Sequence, residues 1–154
     1  MANFAMKMKK LPKAPLQEVI FELRWQLAID HNNNQEYDEG FELAQGKLQG
    51  IVRERFPYHV KKLPLEFTGH NMYNYAVVHQ FWSDKQTWPV IQLGPGIFTV
   101  NDTEKNYVWE DGFFSLIQWV TEALYKAYDD KIKVSYCILR YIDSIKLKQY
   151  IYSD

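Results

Sequence analysis

Glu18-Val19-Ile20-Phe21-Glu22-Leu23-Arg24-Trp25-Gln26-Leu27 decides the fold of this chain. Val19, Phe21, Leu23, Trp25 and Leu27 fall on one side of the stretch, and Glu18, Glu22, Arg24 and Gln26 on the other. A period of two is the pleat of a β-strand, and a strand written this way buries one face and keeps the other wet. Ile20 is the one apolar residue on the polar side. The remainder of the chain must therefore supply a layer that covers one face of a sheet.

Working outward, Pro12 and Pro15 punctuate the upstream side, which leaves residues 1–14 as an N-terminal arm and 15–154 as a single domain. Downstream, residues 30–35 hold Asn32, Asn33 and Asn34, a composition that favours turn geometry and reads as a loop. Tyr37, Phe41, Ala44, Leu48, Ile51 and then Arg55 or Phe56 recur at steps of three and four, which predicts a helix over about 38–56 that stops before Pro57. Gly46 and Gly50 lie on one side of that helix. They imply either close approach to the sheet or another helix, or an adaptable helix, because each costs about 1 kcal/mol relative to alanine.

From residue 63 the pattern turns short and β-rich, with strands expected at 63–67, 75–82, 88–93 and 97–101. Gly94-Pro95-Gly96 supplies a tight turn, and Pro89 belongs at a strand start or on an edge, since it lacks a ladder donor. A second helix is expected from near Asp111, with Phe113, Ile117, Val120, Leu124 and Ala127 on one stripe and Asp129-Asp130 at its end. Residues 133–143 are apolar on both sides, the pattern of a central strand or one covered on both faces. The expected fold class is α+β: a mainly antiparallel sheet with two helices packed on one face, in the order β-α-β-β-β-β-α-β.

At 154 residues one hydrophobic core suffices. The 18 basic and 19 acidic side chains nearly cancel, so no global field draws in nucleic acid or an anionic membrane. Lys7, Lys9, Lys10 and Lys13 concentrate positive charge in the arm, where a solvated segment is expected. The lone Cys137 excludes an internal disulfide and points to a reducing compartment, and no run reaches the length of a membrane span or a signal peptide. A cytoplasmic protein is the expectation.

Four pieces carry a resemblance: Pro15-Leu16-Gln17-Glu18-Val19-Ile20-Phe21-Glu22-Leu23-Arg24, Gln92-Leu93-Gly94-Pro95, Tyr107-Val108-Trp109 and Leu139-Arg140-Tyr141-Ile142-Asp143. In this order and spacing, over about residues 11–143, the chain resembles a sporadically distributed family of uncharacterised bacterial proteins. The resemblance implies the same α+β fold and brings no catalytic residues with it. Family members usually continue past the last of these pieces, which implies either a short member or the N-terminal part of a longer architecture.

Among residues able to do chemistry, Glu22 and Arg24 on the first strand and Arg140 and Asp143 on the last form the leading ligand-binding set, although Arg140 and Asp143 differ in parity. A guanidinium flanked by carboxylates can clamp a phosphate or carboxylate; a cross-strand salt-bridge ladder uses the same residues. Tyr73, Tyr75, Trp82 and Trp88, with Phe81, gather around one expected hairpin and form the candidate interaction surface, with sheet packing as the alternative. Only Lys85 is interleaved with them, which argues against stacking on nucleic acid. His31, His59, His70 and His79 lack metal-ligand spacing, and Cys137 and His79 read as strand residues rather than as nucleophile and base. No catalytic motif, metal site or cofactor motif is present.

These observations lead to a protein-interaction or assembly module of a bacterial multi-protein system, acting through a protein partner or self-association. The alternative is a small enzyme or ligand-binding domain that uses the Arg/Glu set.

Overall fold

The computed structural model describes residues 15–62, 73–103, 105 and 107–144. The expected strand at 63–67, the arm before residue 15 and the segment after 144 lie outside the described residues. Chain order runs β1 (Leu16–Trp25), β2 (Ala28–Asp30), β3 (Gln35–Tyr37), α1 (Phe41–Val52), β4 (Tyr58–Lys61), β5 (His79–Trp82), β6 (Val90–Gly94), β7 (Ile97–Thr103), α2 (Phe114–Ala127) and β8 (Val134–Asp143). A π-helical turn, Trp109–Phe113, leads directly into α2.

The sheet has six strands in the order β4-β5-β6-β7-β1-β8, and every pairing is antiparallel. The alternation in β1 is the reason it lies inside the sheet. Val19, Phe21, Leu23 and Trp25 point into one core with Phe81, Ile91, Leu93, Phe98 and Val100 of the neighbouring strands. Both helices close over that face: Phe41, Ala44, Leu48 and Val52 of α1 and Leu116, Ile117, Val120, Ala123, Leu124 and Ala127 of α2 are all buried. Full burial of a residue such as Leu48 is worth about 1.5–3 kcal/mol. The fold is thus α+β with one antiparallel sheet and two helices on one face.

Several expectations are corrected. Residues 30–35 are the tip of a hairpin, β2 paired with β3, rather than a plain loop; Asp30 Oδ1 accepts from Asn32 N and Asn33 Oδ1 accepts from Gln35 N. The α1 stripe runs through Val52, while Ile51 is exposed. Of the two readings of Gly46 and Gly50, close approach fails, since a Cβ at either would meet no atom within 4 Å. Finally, β8 is an edge strand and largely exposed. Its two-sided apolar pattern does not come from a second covering layer.

Elsewhere the turn chemistry acts where it was expected. Gly96 has φ of 76° between β6 and β7, and a Cβ on Gly94 would lie 1.7 Å from the Ala76 carbonyl oxygen. Pro89 stands just before β6. Asp129 and Asp130 close α2 with φ of 51° and 57°. The strand expected from residue 75 starts only at His79, because Tyr75 is in a turn with φ of 61°.

Candidate functional site

The helices leave the other sheet face to the residues of opposite parity, and one lateral row crosses it. Gln80 stands opposite Gln92, Gln92 opposite Thr99, Thr99 opposite Glu22 and Glu22 opposite Ile138. Polar side chains therefore meet across four strands.

At the β1 end, Glu22 is only 5% exposed, and its two oxygens take different partners. Arg24 Nε donates to Oε1 at 2.7 Å and Arg140 Nη2 to Oε2 at 3.2 Å. The Arg24 guanidinium also lies 5.6 Å from the Tyr75 ring centre and 5.5 Å from that of Tyr136. The structure thus brings Glu22, Arg24 and Arg140 together but inverts the expected arrangement: one carboxylate is flanked by two guanidiniums. Glu22 binds both arginines internally, which is the geometry of a cross-strand ladder. Asp143 lies opposite Leu16 at the far end of β8, away from this group.

At the other end, Gln80 Nε2 donates to Gln92 Oε1 at 2.6 Å, and Gln92 Nε2 donates to Thr99 Oγ1 at 3.0 Å and Asn101 Oδ1 at 3.1 Å. Thr99 Oγ1 donates to Asn101 Oδ1 at 2.8 Å, and Asn101 Nδ2 donates to Glu18 Oε1 at 2.8 Å. Beside this row a pocket of about 470 Å³ opens, flanked by Trp82 and Trp88. The two indoles meet edge to face, 5.6 Å between centres and 76° between planes. Tyr73 and Tyr75 are not part of that pair. Tyr75 N donates to the Pro95 carbonyl at 2.7 Å, at the opposite end of β6 from Trp88, so the aromatic set expected around one hairpin is divided between two ends of the sheet.

Sequence reasoning passed over Glu18, Gln80, Gln92, Thr99 and Asn101. The available signal was a set of amide side chains at one parity in otherwise apolar strands. Joining them, however, requires the register between strands.

A second concave region lies on the helix side, between α2 and the edge strand β8. It holds about 430 Å³ and is lined by Phe21, Leu23, Ile117, Tyr125, Val134 and Cys137. The Thr121 hydroxyl there is buried with no hydrogen-bond partner among the described residues. Cys137 is exposed. Tyr107 and Tyr141 pin the approach to α2 against β8 through hydroxyls 2.8 Å apart; burial, then that bond, raises the Tyr107 pKa.

Two partly buried polar clusters are structural. His59 Nε2 and His79 Nδ1 are 2.8 Å apart, so one ring donates and the other accepts. Burial, then the charges of His59 and Lys61, lowers the His79 pKa to about 4, and burial followed by Lys61 lowers that of His59. Asp38 Oδ2 accepts from Trp25 Nε1 at 3.1 Å, Gly96 N at 3.0 Å and Tyr128 OH at 2.9 Å. Burial, then the Asp38 carboxylate, raises the Tyr128 pKa.

Among the described residues, no three or more His, Cys, Asp or Glu side chains converge as a metal site, and no helix is long and apolar enough to cross a membrane. Searches against family models, curated proteins and solved structures return no match to this chain.

Proposed function

We propose that the chain is a protein-interaction module of a cytoplasmic bacterial assembly, and that its docking element is the outer edge of β8. One observation carries this reading: a ten-residue strand at the end of the sheet exposes Tyr136, Tyr141 and Ile142, at 43%, 48% and 41%. A long apolar edge is a template for pairing, and proteins usually blunt such edges with short strands, lysines or bulges.

The opposite edge provides the contrast. β4 has only four residues and ends on Lys61, the usual protection. β8 holds no lysine. A partner strand laid along β8 would gain backbone hydrogen bonds, while its alternate side chains entered the α2–β8 groove beside Cys137 and Ile117. A second copy meets the same requirement, because an edge strand can pair antiparallel with its own two-fold mate. The alternative, an anion receptor built on Arg24 and Arg140, draws less support, since Glu22 already engages both guanidiniums.

Light scattering over a concentration series, together with amide hydrogen exchange along β8, tests the proposal. The expected result is a dimer or a defined complex in which alternate β8 amides are protected, and its loss in Tyr136→Lys/Ile142→Lys. A monomer at every concentration that co-purifies with no specific protein at native expression would overturn it.

A further inference from the structure

The pocket beside Trp82 and Trp88 is separate from the β8 edge, and its lining is chemically specific. On its polar side, Gln80, Gln92, Asn101 and Glu18 form a continuous hydrogen-bonded row, which holds the amide planes in fixed orientation. Such a row is a pre-organised set of donors and acceptors. Glu18 uses Oε1 within the row, and among the described residues its Oε2 has no hydrogen-bond donor. On the apolar side the lining holds the two perpendicular indoles, Trp82 being largely buried, together with buried Val90. Lys62 contributes one positive charge to the lining, which the Glu18 carboxylate balances.

We propose that this pocket binds a neutral saccharide ring. A pyranose has an apolar C–H face and an equatorial belt of hydroxyls that both donate and accept. The C–H face is attracted to the negative face of an indole, and the hydroxyls match alternating amide and carboxylate groups. The 470 Å³ volume is of ligand-site size. Phosphorylated ligands fit poorly, since Lys62 is the one cation in the lining among the described residues and Glu18 repels them. A nucleobase could stack on the same indoles and meet the amides through its edge, so nucleosides are the competing class that the test must separate.

Ligand-observed saturation-transfer NMR tests this on the intact chain. The probes are glucose, galactose, mannose, N-acetylglucosamine, maltose and cellobiose, with adenosine, uridine and inorganic phosphate as competing classes. At least one sugar should bind saturably, weaken about tenfold or more in Trp88→Ala, weaken also in Glu18→Gln, and be retained in Trp88→Phe, which keeps a ring. Tyr136→Lys, on the β8 edge opposite Arg24, should leave sugar binding unchanged. Circular dichroism and melting curves accompany each variant; if Trp88→Ala fails to fold, Glu18→Gln and Gln80→Ala decide. The proposal is overturned if no sugar in the panel binds, if a bound sugar is indifferent to Trp88→Ala and Glu18→Gln, or if only nucleosides or phosphate bind.

Discussion

Tyr128, at the end of α2, donates its hydroxyl to the Asp38 carboxylate just before α1, a 2.9 Å bond across 90 residues of sequence. The same oxygen accepts from Trp25 at the end of β1 and from Gly96 in the β6–β7 turn. Four separate parts of the chain are therefore fastened at one atom. Asp38→Ala leaves these three donors, and Gly40 N on the other oxygen, without their acceptor and should cost about 3 kcal/mol. For a chain of this size that lowers Tm by roughly 10 °C, and Tyr128→Phe should lower it by a smaller amount. Differential scanning calorimetry on the two variants gives the comparison.

The His59–His79 pair makes stability depend on pH. His79 has a folded pKa of about 4 against an ordinary value of 6.5, so as pH falls the unfolded chain takes up this proton first. The stability present above pH 6.5 is lost progressively down to about 4, with about 2 kcal/mol gone by pH 5. Buried Asp102, whose pKa burial raises, acts in the opposite direction, so the effect is best read as a difference between wild type and His79→Phe. Urea unfolding at pH 7 and pH 5 should show a smaller drop in the variant. A ring titration with its midpoint near 6.5 would contradict the packing described.

Gly46 and Gly50 sit in α1 with open space where a Cβ would be. Gly46→Ala and Gly50→Ala should each stabilise the protein by about 0.5–1 kcal/mol, because alanine restricts the unfolded chain and favours the helix. Gly94→Ala should do the reverse, since its Cβ would run into the Ala76 backbone at 1.7 Å. Chemical denaturation midpoints with unchanged slopes would establish all three.

The Glu22–Arg140 pair joins a buried carboxylate to a guanidinium whose side chain is 47% exposed. Solvent screens such a pair, so a double-mutant cycle through Glu22→Ala and Arg140→Ala should give a coupling of about 1 kcal/mol or less, declining with salt. Glu22→Ala alone should cost more than Arg140→Ala alone, because it leaves Arg24 and Arg140 facing each other.

What the sequence disclosed was periodic and local. The alternation of β1 and the Phe113, Ile117, Val120, Leu124, Ala127 stripe placed the covered face correctly, since each depends only on residues within one element. The edge position of β8 was hidden, because apolar residues on both faces of a strand arise equally from two covering layers and from an interaction edge. The hairpin of β2 and β3 was hidden too: strands of three residues carry no period. Of the candidate site, Glu22, Arg24 and Arg140 were found from charge on paired strands. The row from Gln80 to Glu18 depends on register among β5, β6, β7 and β1, which turn geometry fixes and composition does not.

The placement of β1 between β7 and β8 also sets a schedule for folding. The pairings from β4 to β7 join neighbours in sequence, but β1 waits for a first partner, β7, that begins about 70 residues after it ends, roughly 4–15 s of synthesis, and longer for β8. During that interval a strand that will form the middle of the core has no sheet to join. Closing the long loop to β7 is the entropically expensive event, so folding should be slow for a chain of this length. Glu18, Glu22 and Arg24, interleaved with the apolar residues of β1, would then act as gatekeepers that keep the nascent strand from aggregating before its neighbours exist.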